Sequence, residues 1–298
     1  MLEHLSEKRN ITQQRINLYC QWLYQNEKSR GTIKKYRYYL EQLLEYLQGQ
    51  EIDKERLLQW KQELRKRLSP STVNCALAAL NGFLRYEGWD HLTVRFIKVA
   101  RRIFCQEKRD LSRLEYSRLI ETAEAQGKER MALLMQTVCS TGIRISELSY
   151  ITVEAVKQQY AEVECKGKIR RVLMTEELCR MLKKYAKRKN ITAGTIFVTR
   201  TGKPLDRSNI WREMKKISLE SGVKREKVFP HNLRHLFAKV YYSMERDLLR
   251  LSDILGHSNI NTTRIYTMES GGNHIRQLEK MNLLTGKYNE ISLSLFKL

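Results

Sequence analysis

The sequence predicts a mainly α-helical protein of two domains, with a small antiparallel three-stranded sheet in the second. Three observations predict it. Apolar residues recur at helical spacing over most of the 298 residues. Short strand candidates at 159–165 and 169–174 flank a Gly-centred tip, and TIFVTRTG at 195–202 supplies a third. Over residues 88–109 the character changes, from GWDHLTVRF to the basic run KVARRIFCQEKRD, before a new amphipathic pattern begins. The boundary is placed near 105, dividing the chain into residues 1–105 and 106–298.

In the first domain, residues 12–27 and 32–48 read as amphipathic helices. The second carries Ile33, Tyr36, Leu40, Leu43, Leu44 and Leu47 on one face behind a Thr32 cap. A third helix is expected from Asp53 to about Lys66. Ser69 and Pro70 make a cap and first-turn pair for a fourth, whose apolar face is Val73, Leu77, Leu80, Phe83 and Leu84. The expectation is four or five helices and no sheet. In the second domain, helices are expected at about 111–126, 129–140, 207–220, 231–243 and 246–255. Gly142 breaks the second of these, and Arg144 opens a fresh turn with Glu147 three residues on.

Lys and Arg number 55 against 33 Asp and Glu, a formal net charge of +22. The excess is spread along the chain: 21 basic against 12 acidic residues up to 109, and 34 against 21 beyond. A chain basic in both halves suits a polyanion gripped from two sides, with salt-dependent affinity. Generic solubility charge is the plainer alternative. A membrane surface fits less well, because the basic residues are not gathered on one amphipathic helix beside an apolar anchor. Lys28, Arg30, Lys34, Lys35 and Arg37, interleaved with Tyr36, Tyr38 and Tyr39, read either as a DNA-contacting helix start or as a solvated face. The six cysteines form no CxxC pair and read as small buried side chains in a reducing cytoplasm. No apolar leader opens the chain and no apolar run approaches membrane-spanning length, so a cytoplasmic protein is expected.

The chemistry concentrates in residues 231–266. His231 and Arg234 share one helical turn, His257 follows a Gly in a short loop, and Tyr266 lies nine residues beyond. Two arginines, Arg234 and the upstream Arg144, suit the non-bridging oxygens of a phosphodiester, whose transfer depends on positioning and electrostatic stabilisation. A phenol ionises near pH 10, so only on the order of one in a thousand is a nucleophile at neutral pH without help; a local positive field lowers that cost. A salt bridge, such as Arg144 with Glu147, is the dull alternative for either arginine. Packing is the dull alternative for any one of the 15 tyrosines. His231 and His235 stand at i and i+4, a metal-ligand spacing to which His257 could add. Against metal, HNLRH lacks the Glu of HExxH, and an arginine lies between the histidines.

TGIRISEL, the CKGK hairpin, HNLRH, LGHSNINTT and the tyrosine that follows occur in order, and together they resemble the tyrosine recombinases, the family of phage integrases and Xer recombinases. The stretch SPSTVNCALAALNGFLRY resembles that family's core-binding domain. The resemblance implies a DNA-binding domain over 1–105 and a catalytic domain over 106–298. It implies that Tyr266 attacks the scissile phosphate, expels a 5′-hydroxyl and forms a 3′-phosphotyrosyl link, with no ATP, cofactor or metal. Arg144 and Arg234 match the phosphate-clamping arginines, His231 the candidate base, and His257 a hydrogen-bond donor to phosphate. Glu147 matches an acidic position that orients the site. Lys166 at the hairpin tip is the first candidate to protonate the leaving oxygen, with Lys168 the second. The partners implied are double-stranded recombination sites and further copies of the chain, as a tetramer on DNA; the residues after Tyr266 either tie neighbouring copies together or fold back on their own domain. Integration or excision, inversion and dimer resolution share this chemistry. A catalytically silent DNA-binding protein and type IB topoisomerase-like relaxation are the alternatives.

Overall fold

The computed structural model describes residues 9–99, 110–165, 168–199, 201–257, 259–267, 275, 278–281 and 283. The chain forms two compact units, residues 1–101 and 102–298. The domain boundary expected near 105 falls among residues outside that description.

Among the described residues the first unit holds four α-helices: α1 (Gln13–Gln25), α2 (Arg30–Leu47), α3 (Lys54–Arg67) and α4 (Pro70–Tyr86), followed by a 3-10 turn at Asp90–Leu92. Each helix starts where a side-chain oxygen takes an orphan amide: Thr12, Ser29, Asp53 and Ser69 accept from Arg15, Thr32, Arg56 and Thr72. For α2 this corrects the expected cap. Ser29 rather than Thr32 closes the end, so the cap lies three residues earlier and the helix opens at Arg30. One apolar stripe per helix meets in a single core around Ile16, Leu40, Trp60 and Phe83. Two asparagines seven residues apart on α4 fasten the extended segment that follows. Asn81 pairs with both backbone groups of Val94 at 2.8 Å, and Asn74 with both of Ile97 at 2.8 and 2.9 Å.

The second unit opens with α5 (Arg113–Ala125), set by a Ser112–Glu115 capping box, and α6 (Glu129–Thr141). A 3-10 turn (Ile145–Tyr150) and α7 (Val153–Gln158) lead to the antiparallel strands β1 (Tyr160–Cys165) and β2 (Lys168–Leu173). Then come α8 (Glu176–Arg188), α9 (Arg207–Glu220), α10 (Pro230–Glu245), α11 (Leu248–Leu255) and α12 (Ile260–Thr267). Among the described residues the sheet has two strands, which corrects the expectation of three. The backbone of 195–199 is taken up elsewhere: Ile196 donates to Ile151 O, and Thr199 donates to Lys203 O across a turn. Only isolated bridges, Thr152 with Thr195 and Val198 with Pro204, remain of the third strand. Ile196 and Phe197 are buried all the same, so apolar burial rather than ladder pairing accounts for the strand-like sequence. Among the described residues no helix is long and apolar enough to cross a membrane.

Candidate active site

Two glycines shape the site. Gly142 ends α6 and Gly256 ends α11, each in the left-handed conformation, at φ +65° and +63°. At Gly256, its own amide bonds Asp253 O and that of His257 bonds Ser252 O, the Schellman pattern, which turns the chain sharply into His257. Both glycine carbonyls then hold an arginine. Gly142 O accepts from Arg234 Nη1 at 2.5 Å, and Gly256 O accepts from Arg144 Nη2 at 3.3 Å.

Arg234 is the most constrained of these groups, 1% exposed in the second turn of α10. It donates to Gly142 O and Leu255 O and lies 2.9 Å from His257 Nε2. Burial, then the nearby Arg144, lowers its pKa to about 10, and it stays cationic at neutral pH. Its Nε is buried without a partner. A guanidinium only donates, so His257 Nε2 accepts, and the His257 proton sits on Nδ1, which donates to Thr263 Oγ1 at 2.8 Å. Burial and the surrounding Arg234, Arg144 and Arg170 push His257 down to about 4, which keeps it neutral in this role.

Glu147, 4% exposed, is the anionic counterweight. Its carboxylate accepts from the Arg144 amide at 3.0 Å, from Arg144 Nη1 at 2.9 Å and from Arg170 Nη2 at 2.5 Å. Burial opposes its charge, but these donors and the Arg170 cation outweigh burial and hold its pKa below the usual range. Arg170 was not anticipated from the sequence. It pairs with Val163 in the β1–β2 ladder and so shares the inward face with Ala161, Val163 and Val172. That alternation was the available signal, since an arginine at an inward strand position needs a carboxylate. Its Nη1 donates to Ile254 O, pinning the end of α11.

Tyr266 on α12 is 3% exposed and ringed by three imidazoles. His257 stacks on it at 5.7 Å and 17°, His231 lies tilted at 5.7 Å and His235 at 5.1 Å. Its hydroxyl is 3.2 Å from His231 Nε2. Burial and the charges of Arg234, His235, Arg144 and Arg207 lower the His231 pKa, so its Nε2 is free to accept the phenolic proton. Beside this cluster is a cleft of ≈ 340 Å³ lined by Arg144, His231 and Arg234, and also by Arg207, Trp211 and Phe229, which the sequence did not single out.

The structure therefore gathers Arg144, Glu147, His231, Arg234, His257 and Tyr266. Lys166 and most of the chain after Tyr266 lie outside the described residues. Lys168 is not part of the tip but the first residue of β2, paired with Cys165. His231 and His235 do not converge: one faces the Tyr266 hydroxyl and the other Asp110. Of the basic residues expected to touch DNA in the first unit, Arg30, Lys34 and Arg37 line a groove between α1 and α2. Lys35 reaches Cys75 on α4 at 3.5 Å, Arg37 is held by Asn17 at 2.6 Å, and Lys28 is exposed in the preceding turn.

Two arginines, a buried tyrosine and its histidines thus meet on a mostly helical unit that follows a helical first unit. Residues 109–271 match the phage integrase family and residues 16–91 match the phage integrase N-terminal SAM-like domain; the chain belongs to the phage integrase family, whose members include the tyrosine recombinases. It is 28% identical over 267 residues to tyrosine recombinase XerA of Pyrococcus furiosus, covering 86% of this chain and 90% of that one. The crystal structure of XerA recombinase is similar, with a TM-score of 0.51 at 26% identity, covering 92% of this chain and 99% of that chain. The fold is also that of lambda integrase (75–356) in a dimer bound to a COC′ core site, with a TM-score of 0.71 at 17% identity, over 88% of this chain and 96% of that chain.

Proposed function

We propose that the chain is a site-specific DNA recombinase that cuts and rejoins double-stranded DNA through a 3′-phosphotyrosyl intermediate. The observation that carries this reading is the Tyr266 hydroxyl, 3.2 Å from His231 Nε2 and enclosed beside the anchored Arg234. Arg144 and Arg234 take the non-bridging oxygens, whose charge grows in the transition state. His231 accepts the phenolic proton as the tyrosine oxygen bonds to phosphorus. The 5′-oxygen leaves with a proton from Lys166, or from Lys168. Where phosphate takes over the Arg234 donor that His257 now accepts, His257 is released to turn its own proton toward the phosphate. Glu147 and Arg170 hold Arg144 in place. The phosphotyrosyl bond retains the energy needed for rejoining, so the cycle runs without a nucleotide cofactor.

The DNA grip is assigned to both units, with Lys28, Arg30, Lys34, Lys35 and Arg37 as contacts in the first. Four copies acting on paired sites, and integration, excision or inversion of a mobile or invertible element, complete the reading. A neighbouring fold that supports the tetramer is that of a lambda integrase tetramer bound to a Holliday junction. The deciding experiment is a suicide-substrate assay on nicked DNA from the flanks of the protein's own gene. A denaturation-resistant adduct in the wild type that vanishes in Tyr266→Phe is the expected result. Tight binding without any adduct, or an adduct that persists in Tyr266→Phe, overturns the reading.

A further inference from the structure

His235 is the third imidazole around Tyr266, and its role is not contained in the reading above. Along α10, His231, His235 and Lys239 stand at i, i+4 and i+8 on one stripe. Asp110, just ahead of α5, crosses to that stripe and takes two of its members at once. Its Oδ1 lies 3.3 Å from His235 Nδ1, and its Oδ2 accepts from Lys239 Nζ. The His235 ring so held packs 5.1 Å from the Tyr266 ring, at 56°, the shortest of the three imidazole contacts.

The chemistry of the pair is directional. Burial raises the Asp110 pKa, but the hydrogen bonds and charges of His235 and Lys239 outweigh it and bring the carboxyl to about 2, so it is an acceptor over the whole working range. His235 therefore keeps a proton on Nδ1, and its ring cannot flip without breaking that bond. An anchored His235 ring packed 5.1 Å from the phenol, with His257 stacked on it at 17°, restricts the Tyr266 ring whose hydroxyl meets His231. An attack geometry is sensitive to such a restriction, since displacements of about 1 Å cost on the order of a hundredfold in rate.

We infer that Asp110 and His235 form a positioning pair that holds the Tyr266 ring in its attacking orientation, without contact with the phosphate. This rests on Tyr266 being the nucleophile, and it names residues that act through it.

The test uses the full-length protein on the same nicked DNA, with Asp110→Ala and His235→Phe. The second variant keeps an aromatic wall but loses the Asp110 bond. Both are expected to lower the single-turnover rate of adduct formation by about 10- to 100-fold, with DNA affinity within about twofold of wild type. A second arm separates positioning from damage to the site. In a Tyr266→Phe background, hydrogen peroxide serves as nucleophile: hydroperoxide bonds to phosphorus as the P–O5′ bond breaks and the 5′-oxygen leaves protonated. Adding Asp110→Ala to that background should leave peroxide cleavage unchanged, because the tyrosine it positions is absent. Parallel loss of peroxide cleavage, or wild-type adduct rates in Asp110→Ala and His235→Phe, overturns the inference. Wild-type protein that forms no adduct but supports peroxide cleavage in Tyr266→Phe overturns the tyrosine reading beneath it.

Discussion

Arg170 occupies the space a side chain on Gly256 would need: a Cβ there would collide with Arg170 Cδ and come within 2.7 Å of Nε. The glycine that turns the chain into His257 is thus also the one that lets a strand arginine reach Glu147. Gly256→Ala meets both the left-handed backbone at φ +63° and this collision. It is expected to destabilise the second unit by about 1–3 kcal/mol and to abolish adduct formation, checked by thermal unfolding alongside the suicide substrate.

Removing Arg170 leaves Glu147 short of one of its two cationic partners inside the protein. Arg170→Ala should cost about 3 kcal/mol or more, the usual penalty for breaking a buried pair. The same pair gives a pH signature. The folded pKa of Glu147 lies below its ordinary 4.5, so its stabilisation is present above that value and is lost as pH falls through the folded pKa. Denaturant titrations between neutral pH and pH 3 should show a shallower acid loss in Arg170→Ala than in the wild type.

His257 supplies a second pH window with its own cause. Its pKa falls from 6.5 to about 4 on folding, so between those values the unfolded chain binds the extra proton and stability rises with pH. His231, also lowered, contributes in the same direction. Below pH 4, protonated His257 and Arg234 both present donors at 2.9 Å and their hydrogen bond is lost. His257→Asn should flatten the stability profile over pH 4 to 6.5, and a profile as steep as wild type would show that other groups carry the window.

In the first unit, Asn81 is buried on α4 and satisfies both backbone groups of Val94. Asn81→Leu leaves an amide and a carbonyl unpaired, which costs about 1–3 kcal/mol each. Hydrogen exchange at the Val94 amide should accelerate in step with the loss of stability; slow exchange in the variant would contradict the fastening.

The helices were legible because their signals are local: a cap oxygen, an apolar stripe, a glycine stop. Ser69 with Pro70 and Gly142 behave as read, while at α2 two hydroxyl residues compete and Ser29 wins over Thr32. The third strand misled because Ile196 and Phe197 have a strand's apolar character while their backbone partners come from residue 151 and a turn. The site residues proposed to act on phosphate were visible as spaced motifs. Arg170, Asp110 and Thr263 were not, because each matters only through a contact with a residue far along the chain, or through one imidazole tautomer. Arg207 and Trp211 are an ordinary helix start until α9 is seen beside the cleft.

The short path from α11 through the Gly256 turn to α12 returns Tyr266 to the histidines of its own chain. In genetic terms, if Tyr266 is the nucleophile as proposed, it and its activating groups are inherited on one polypeptide and cannot be supplied by two different defective alleles. Co-expressed Tyr266→Phe and Arg234→Ala chains should therefore fail to complement, and in mixed populations every covalent adduct should carry an intact Arg234.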